Sequence, residues 1–119
     1  MPDEVVEVRT TVAARDDADR LAQGLVAARL AACVHVAGPV TSHYHWKGTL
    51  ERAEEWQCHV KTTRARWPDV ARFLREHHPY ELPEIVMLPL AGSEEYLDWV
   101  RDEVAGRGDQ ESRGQDRTT

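Results

Sequence analysis

CVHVAGPVTSHYHW, residues 33–46, and EWQCHVKTTR, residues 55–64, decide how this chain folds. Both are rich in β-branched and aromatic residues and alternate roughly apolar with polar, the pattern of half-buried strands. Between them KGTLERAE, residues 47–54, carries Gly48 and several charges and reads as a turn, with the acidic run from Glu51 to Glu55 solvated. The two strands therefore form a hairpin whose arms exceed the usual length of about 5–6 residues. Gly38-Pro39 interrupts the first arm. Proline donates no ladder hydrogen bond, so that point is an edge or a bulge.

Working outward, VVEVRTTV (residues 5–12) is a strand. ARDDADRLAQGLVAARLAA (residues 14–32) turns helical, with Ala18, Leu21, Ala22, Leu25 and Val26 at helical spacing. Asp16 and Asp17 suit the positive N-terminal end of that helix, and Arg29 suits its C-terminal end. WPDVARFLREHH (residues 67–78) is a second helix, with Pro68 in the first turn and an apolar stripe of Val70, Phe73 and Leu74. EIVMLPL (residues 84–90) is almost continuously apolar and is predicted as an interior strand. SEEYLDWVRDEV (residues 93–104) is a helix capped by Ser93, with Tyr96, Leu97, Trp99 and Val100 at its apolar positions. The order β-α-β-β-α-β-α predicts a ferredoxin-like α+β sandwich with an added C-terminal helix. Residues 1–105 form this one domain. GRGDQESRGQDRTT (residues 106–119) has no aliphatic or aromatic residue and is expected to be a disordered polar tail.

Composition narrows the function. Of 119 residues, 15 are Lys or Arg and 21 Asp or Glu, a net charge of −6. A phosphate-backbone partner wants a basic face, so no nucleic-acid role is expected. No stretch approaches the roughly 20 apolar residues of a membrane span. MPDEVVEV lacks the basic and apolar regions of a secretion signal, so a cytoplasmic protein is expected. Cys33 and Cys58 lack C-x-x-C spacing and are expected as reduced thiols. A turn centred near Thr49 would set them roughly 20 Å apart along the hairpin, beyond disulfide reach.

HHPYELPEI (residues 77–85) concentrates the remaining chemistry. A residue before proline leaves the helical region, so the second helix ends at His77 or His78 and the chain stays extended through Leu82-Pro83. This much makes a stiff connector. A metal shared by its histidines and carboxylates requires the chain to bend at Pro79 or Pro83, or ligands from another subunit, because an extended chain spans about 3.3–3.6 Å per residue. His43 and His45 project from one face of a strand and form a second ligand pair, but spacing places no third ligand; the plainer reading is a solvated face opposite Tyr44 and Trp46. His35 and His59 carry no assigned role. No G-x-S-x-G, H-E-x-x-H, P-loop or G-x-G-x-x-G sequence is present.

ARLAACVHV, SHYHWKG, EEWQCHVKTT, HHPYELPEI and EYLDWV, in that order, resemble the successive blocks of the CutA family, the divalent-cation tolerance proteins, over residues 5–104. The resemblance implies a ferredoxin-like subunit in a compact, PII-like homotrimer that binds copper or another divalent cation. It implies His77 and Glu84 as metal ligands; a cysteine found in some members falls here on Thr10, so a thiolate is missing and tight binding of soft Cu(I) is not expected. Trp46, Lys47 and Tyr80 match characteristic positions and, with His78, line a candidate cleft between subunits or serve as trimer contacts. The expected function is a non-enzymatic role in the response to metal ions. The alternatives are a signalling or scaffold module without its own metal, docking an unidentified protein partner, and an enzyme using the cleft of His78 and Tyr80.

Overall fold

The computed structural model describes residues 1–106, in the order β1 (Val5–Val12), α1 (Arg15–Ala27), β2 (Cys33–Trp46), β3 (Thr49–Thr63), α2 (Trp67–His77), β4 (Val86–Pro89) and α3 (Glu94–Glu103). The expected tail lies, but for Gly106, outside the described residues. The strands form one antiparallel sheet in the order β2-β3-β1-β4. This is the ferredoxin-like arrangement expected of the sequence.

Alternation along the strands sorts side chains onto two faces. Val8 and Val12 of β1 and Cys58 and Val60 of β3 meet Ala18, Leu21 and Leu25 of α1 and Val70 and Leu74 of α2 in the main core. Val5 points to the other face, where Leu97 and Val100 of α3 pack on it. The third helix thus covers one end of a face that β1 and β3 line with polar side chains and β4 with Val86 and Leu88. There Glu7, only 6% exposed, is bonded by Lys61 at 2.6 Å and by Arg9. Lys61 and Arg9 hold the Glu7 carboxyl below the usual range, although burial alone would push it up.

Several boundaries differ from the sequence reading. The hairpin turn is not the eight residues 47–54 but the pair Lys47-Gly48, with φ of 51° and 83°. Two successive left-handed residues make a tight turn whose twist matches the flanking strands, and Gly48 takes that conformation without strain. The arms are consequently 14 and 15 residues long, and residues 51–55 belong to β3 rather than to a solvated turn. Cys33 pairs with Lys61 and Cys58 with Val36, so the cysteines sit three positions apart along the ladder, about 10 Å rather than 20. They point to opposite faces, and both thiols are free. The register shift between Ala37 and Val40 is the bulge expected at Gly38-Pro39.

The helix α1 stops at Ala27, five residues short of the predicted end, because Arg29 takes a left-handed φ of 61° and closes the helix. Val26 is 42% exposed and lies off the core stripe. The predicted interior strand at residues 84–90 is an edge strand instead. β4 pairs only with β1, and Val86 and Leu88 are 43% and 36% exposed. Its apolar run has two sources: Met87 packs toward the helices, while Val86 and Leu88 face the side that one chain leaves open.

Candidate functional site

α2 ends where Pro79 requires it to. His78 is its C-cap, extended at φ −76° and ψ 137°, but the chain then bends over residues 79–82 instead of staying extended to Pro83 as expected. The two adjacent histidines diverge. His77 stays on the exposed surface of the helix with its ring 4.3 Å from that of Phe73. His78 turns inward, its Nε2 2.9 Å from the carbonyl oxygen of Thr11.

The partners of His78 fix its tautomer. The Thr11 carbonyl can only accept, so Nε2 carries the proton. The Tyr80 backbone N–H donates to Nδ1 at 3.1 Å, so Nδ1 is bare. Burial lowers the affinity of this ring for a second proton, outweighing the Thr11 bond and the charges of Asp17 and Glu55. Tyr80 stacks obliquely on His78, with ring centroids 4.9 Å apart, and donates its hydroxyl to Glu55 Oε2 at 2.6 Å. Burial and the Glu55 carboxyl push the phenol well above its usual range, so it stays a donor.

Toward the hairpin tip, Lys47 lies 5.5 Å over the Trp46 ring and reaches Glu81 Oε1 at 3.4 Å. Both partners of that ion pair are exposed, so it adds little stability. It does tie the tip to the bent segment. Lys47, and with it Trp46, thus lies near Glu81, the residue after Tyr80.

Glu55 is the residue that sequence reasoning missed. It is 6% exposed and anchors Tyr80, although it sits in a run of carboxylates that resembles a solvated turn. The signal that marks it is register: with the turn at Lys47-Gly48, Glu55 faces Val40 inside the ladder.

The metal candidates stand apart from this network. His77 and Glu84 are both exposed, on α2 and on the approach to β4. Among the described residues no group of three or more His, Cys, Asp or Glu side chains is placed to hold an ion. Thr10 lies in the core, fully buried, and its hydroxyl is an orphaned polar atom. One chain alone therefore does not build a site from His77, Glu84 and residue 10. His43 and His45 are exposed on β2 opposite Arg52 and Leu50, neither of which is a suitable ligand.

With this geometry in view, the family profile described as CutA1 divalent ion tolerance protein matches residues 6–103. The chain belongs to the CutA1 family. The divalent-cation tolerance protein CutA of Thermus thermophilus is 43% identical over 96 residues, spanning 80% of this chain and 93% of the relative. Human protein CutA is 41% identical over 85 residues; the match spans 71% of this chain and 48% of the human protein. The crystal structure of CutA from Xylella fastidiosa superposes with a TM-score of 0.83 at 32% identity, covering 86% of this chain and 99% of that one. The CutA1 match runs from β1 through α3 and includes every residue of the network described above.

Proposed function

We propose that this CutA1 chain acts in the cytoplasm as a non-enzymatic homotrimer in the response to divalent metal ions, taking copper, another divalent cation or a small ligand at clefts between subunits. The observation that carries this reading is the family match across residues 6–103, with its description as divalent ion tolerance. Two features support a site shared between copies. The donors His77 and Glu84 are exposed, so a neighbouring chain can approach them. His78 and Tyr80 are held by bonds to Thr11 and Glu55, and the exposed Lys47–Glu81 pair brings the hairpin tip toward them.

An imidazole with a carboxylate suits a borderline divalent ion such as Cu(II), and the missing thiolate at Thr10 disfavours Cu(I) there. Calorimetric titration with Cu(II) tests the assignment. Binding by the native protein should weaken in His77→Ala and in Glu84→Ala. Three superimposable isotherms would remove both residues from the site.

A scaffold role without an ion is the second reading, and one observation favours it. Both ring nitrogens of His78 and the Tyr80 hydroxyl are consumed by bonds inside the chain. On that reading the HHPYE stretch sets the shape of a contact surface. An ordered, stoichiometric ligand in protein isolated from its native cell would count against it.

A further inference from the structure

As placed, no three such donors surround an ion among the described residues, but the register sets Cys33, His35 and His59 together on the sheet face away from α1 and α2. Cys33 and His35 are alternate residues of β2 and share one face. His59 of β3 lies directly across from His35 and projects to the same face. The Cys33 sulfur is 3.8 Å from His35 Nε2 and 3.9 Å from Nδ1. A thiolate at about 2.3 Å and an imidazole at about 2.0 Å from a tetrahedral ion stand roughly 3.6 Å from each other. The separation suits two donors to one ion, but a sulfur nearly equidistant from both nitrogens lies off either lone-pair axis, so the His35 ring must rotate to share it.

His59 supplies the third. Directly opposed residues of an antiparallel pair have Cβ atoms about 4.5–5.5 Å apart, within the span of two imidazoles sharing an ion. Its Nε2 is now 3.3 Å from Gln57 Oε1, so the ring must turn from Gln57 to complete the set. Burial lowers the proton affinity of His59, favouring the neutral ring that coordinates metals. Arg9 and Lys61 border the site, and Glu7 bonds to both. Their excess positive charge opposes a cation held by charge alone. An ion held through sulfur and nitrogen bonds is favoured instead.

We propose that Cys33, His35 and His59 form a binding site for a thiophilic transition-metal ion. It uses neither His77 nor Glu84 and does not rest on the reading of those residues. On binding, the Cys33 S–H bond breaks, a sulfur–metal bond forms and one proton leaves to solvent. The Tyr96 side chain of α3 borders Cys33 on this face.

Cobalt(II), titrated anaerobically into the whole protein, is the probe. The expected result is one ion per chain, with a thiolate charge-transfer band in the near ultraviolet and strong visible bands of four-coordinate cobalt. Cys33→Ser should abolish the charge-transfer band. His35→Ala and His59→Ala should each weaken binding by about tenfold or more, at least the loss that follows removal of an outer-shell partner. Cys58→Ser, His77→Ala and Glu84→Ala should retain the band. Their retention keeps this site separable from the one proposed above. Circular dichroism on each variant establishes that it is folded. A titration without a charge-transfer band, a band that persists in Cys33→Ser, or unchanged affinity in both histidine variants would overturn the proposal.

Discussion

Tyr80 illustrates how much one hydroxyl carries. It is the hydrogen-bond partner that the structure gives the nearly buried Glu55 carboxyl, at 2.6 Å. Removing one member of a buried pair leaves the other desolvated and unsatisfied, which costs about 1–3 kcal/mol. Tyr80→Phe is therefore expected to lower the unfolding free energy by that amount, read as a lower denaturant midpoint at an unchanged slope, although the ring and its stacking on His78 survive. An unaltered midpoint would mean that Glu55 finds water or another donor. At this scale the sequence was legible where a covalent rule applied. Pro79 forced His78 out of the helix, and that placement follows from sterics alone. It was illegible where burial decided the matter. Nothing in EEW separates the anchored Glu55 from the exposed Glu54, because only the ladder tells which of the two faces the interior.

The hairpin is the element whose reading mattered most. Its existence, its first arm and its bulge followed from alternation and from Gly38-Pro39, but the turn was misplaced by the charged stretch after Gly48. A Lys-Gly pair is a weak turn signal beside Asn-Gly, since lysine in a left-handed conformation is strained. That small displacement hid the pairing of His35 with His59, so two residues that the fold sets face to face looked isolated. The bulge itself makes a sharp prediction. Gly38 has a φ of 152°, and a Cβ there would stand 2.9 Å from Trp56 Cε3 and 3.1 Å from the Glu55 carbonyl oxygen. Backbone strain and overpacking together give an expected loss of about 2 kcal/mol or more in Gly38→Ala. Gly92→Ala meets only ordinary contacts at 3.7 Å and serves as the control, expected within about 0.5 kcal/mol of the native protein. Thermal unfolding of the two variants side by side checks the contrast; equal melting points would show that the bulge is not rigid.

The described residues measure 52 × 25 × 23 Å, and their radius of gyration of 15.6 Å exceeds the roughly 13 Å of a compact domain this long. The excess comes from the hairpin. β1 pairs with β3 only over residues 56–63, so Val40–Trp46 and Thr49–Glu55 form a ribbon of two strands without a third. Such a ribbon is marginal by itself in water. Tyr44 and Leu50 on it are 41% and 70% exposed, and the edge strand β4 presents Val86 and Leu88. Exposed strand edges with apolar side chains invite pairing unless another surface covers them. A ring of copies, each laying its edge and ribbon against the next, would cover all of these at once. The expectation is a particle of three times the chain mass in sedimentation at micromolar concentration. Leu88→Glu with Val86→Glu should drive it toward smaller species. Their ribbons should become readily cut by protease, because the substitutions place charge on the contact; Val86→Glu alone, opposite Arg9 rather than Glu7, separates loss of contact from like-charge repulsion within the ladder. A native protein that sediments as a single chain and resists proteolysis along residues 40–55 would show that the ribbon is stable unaided, and the case for clefts shared between copies would lose its physical basis.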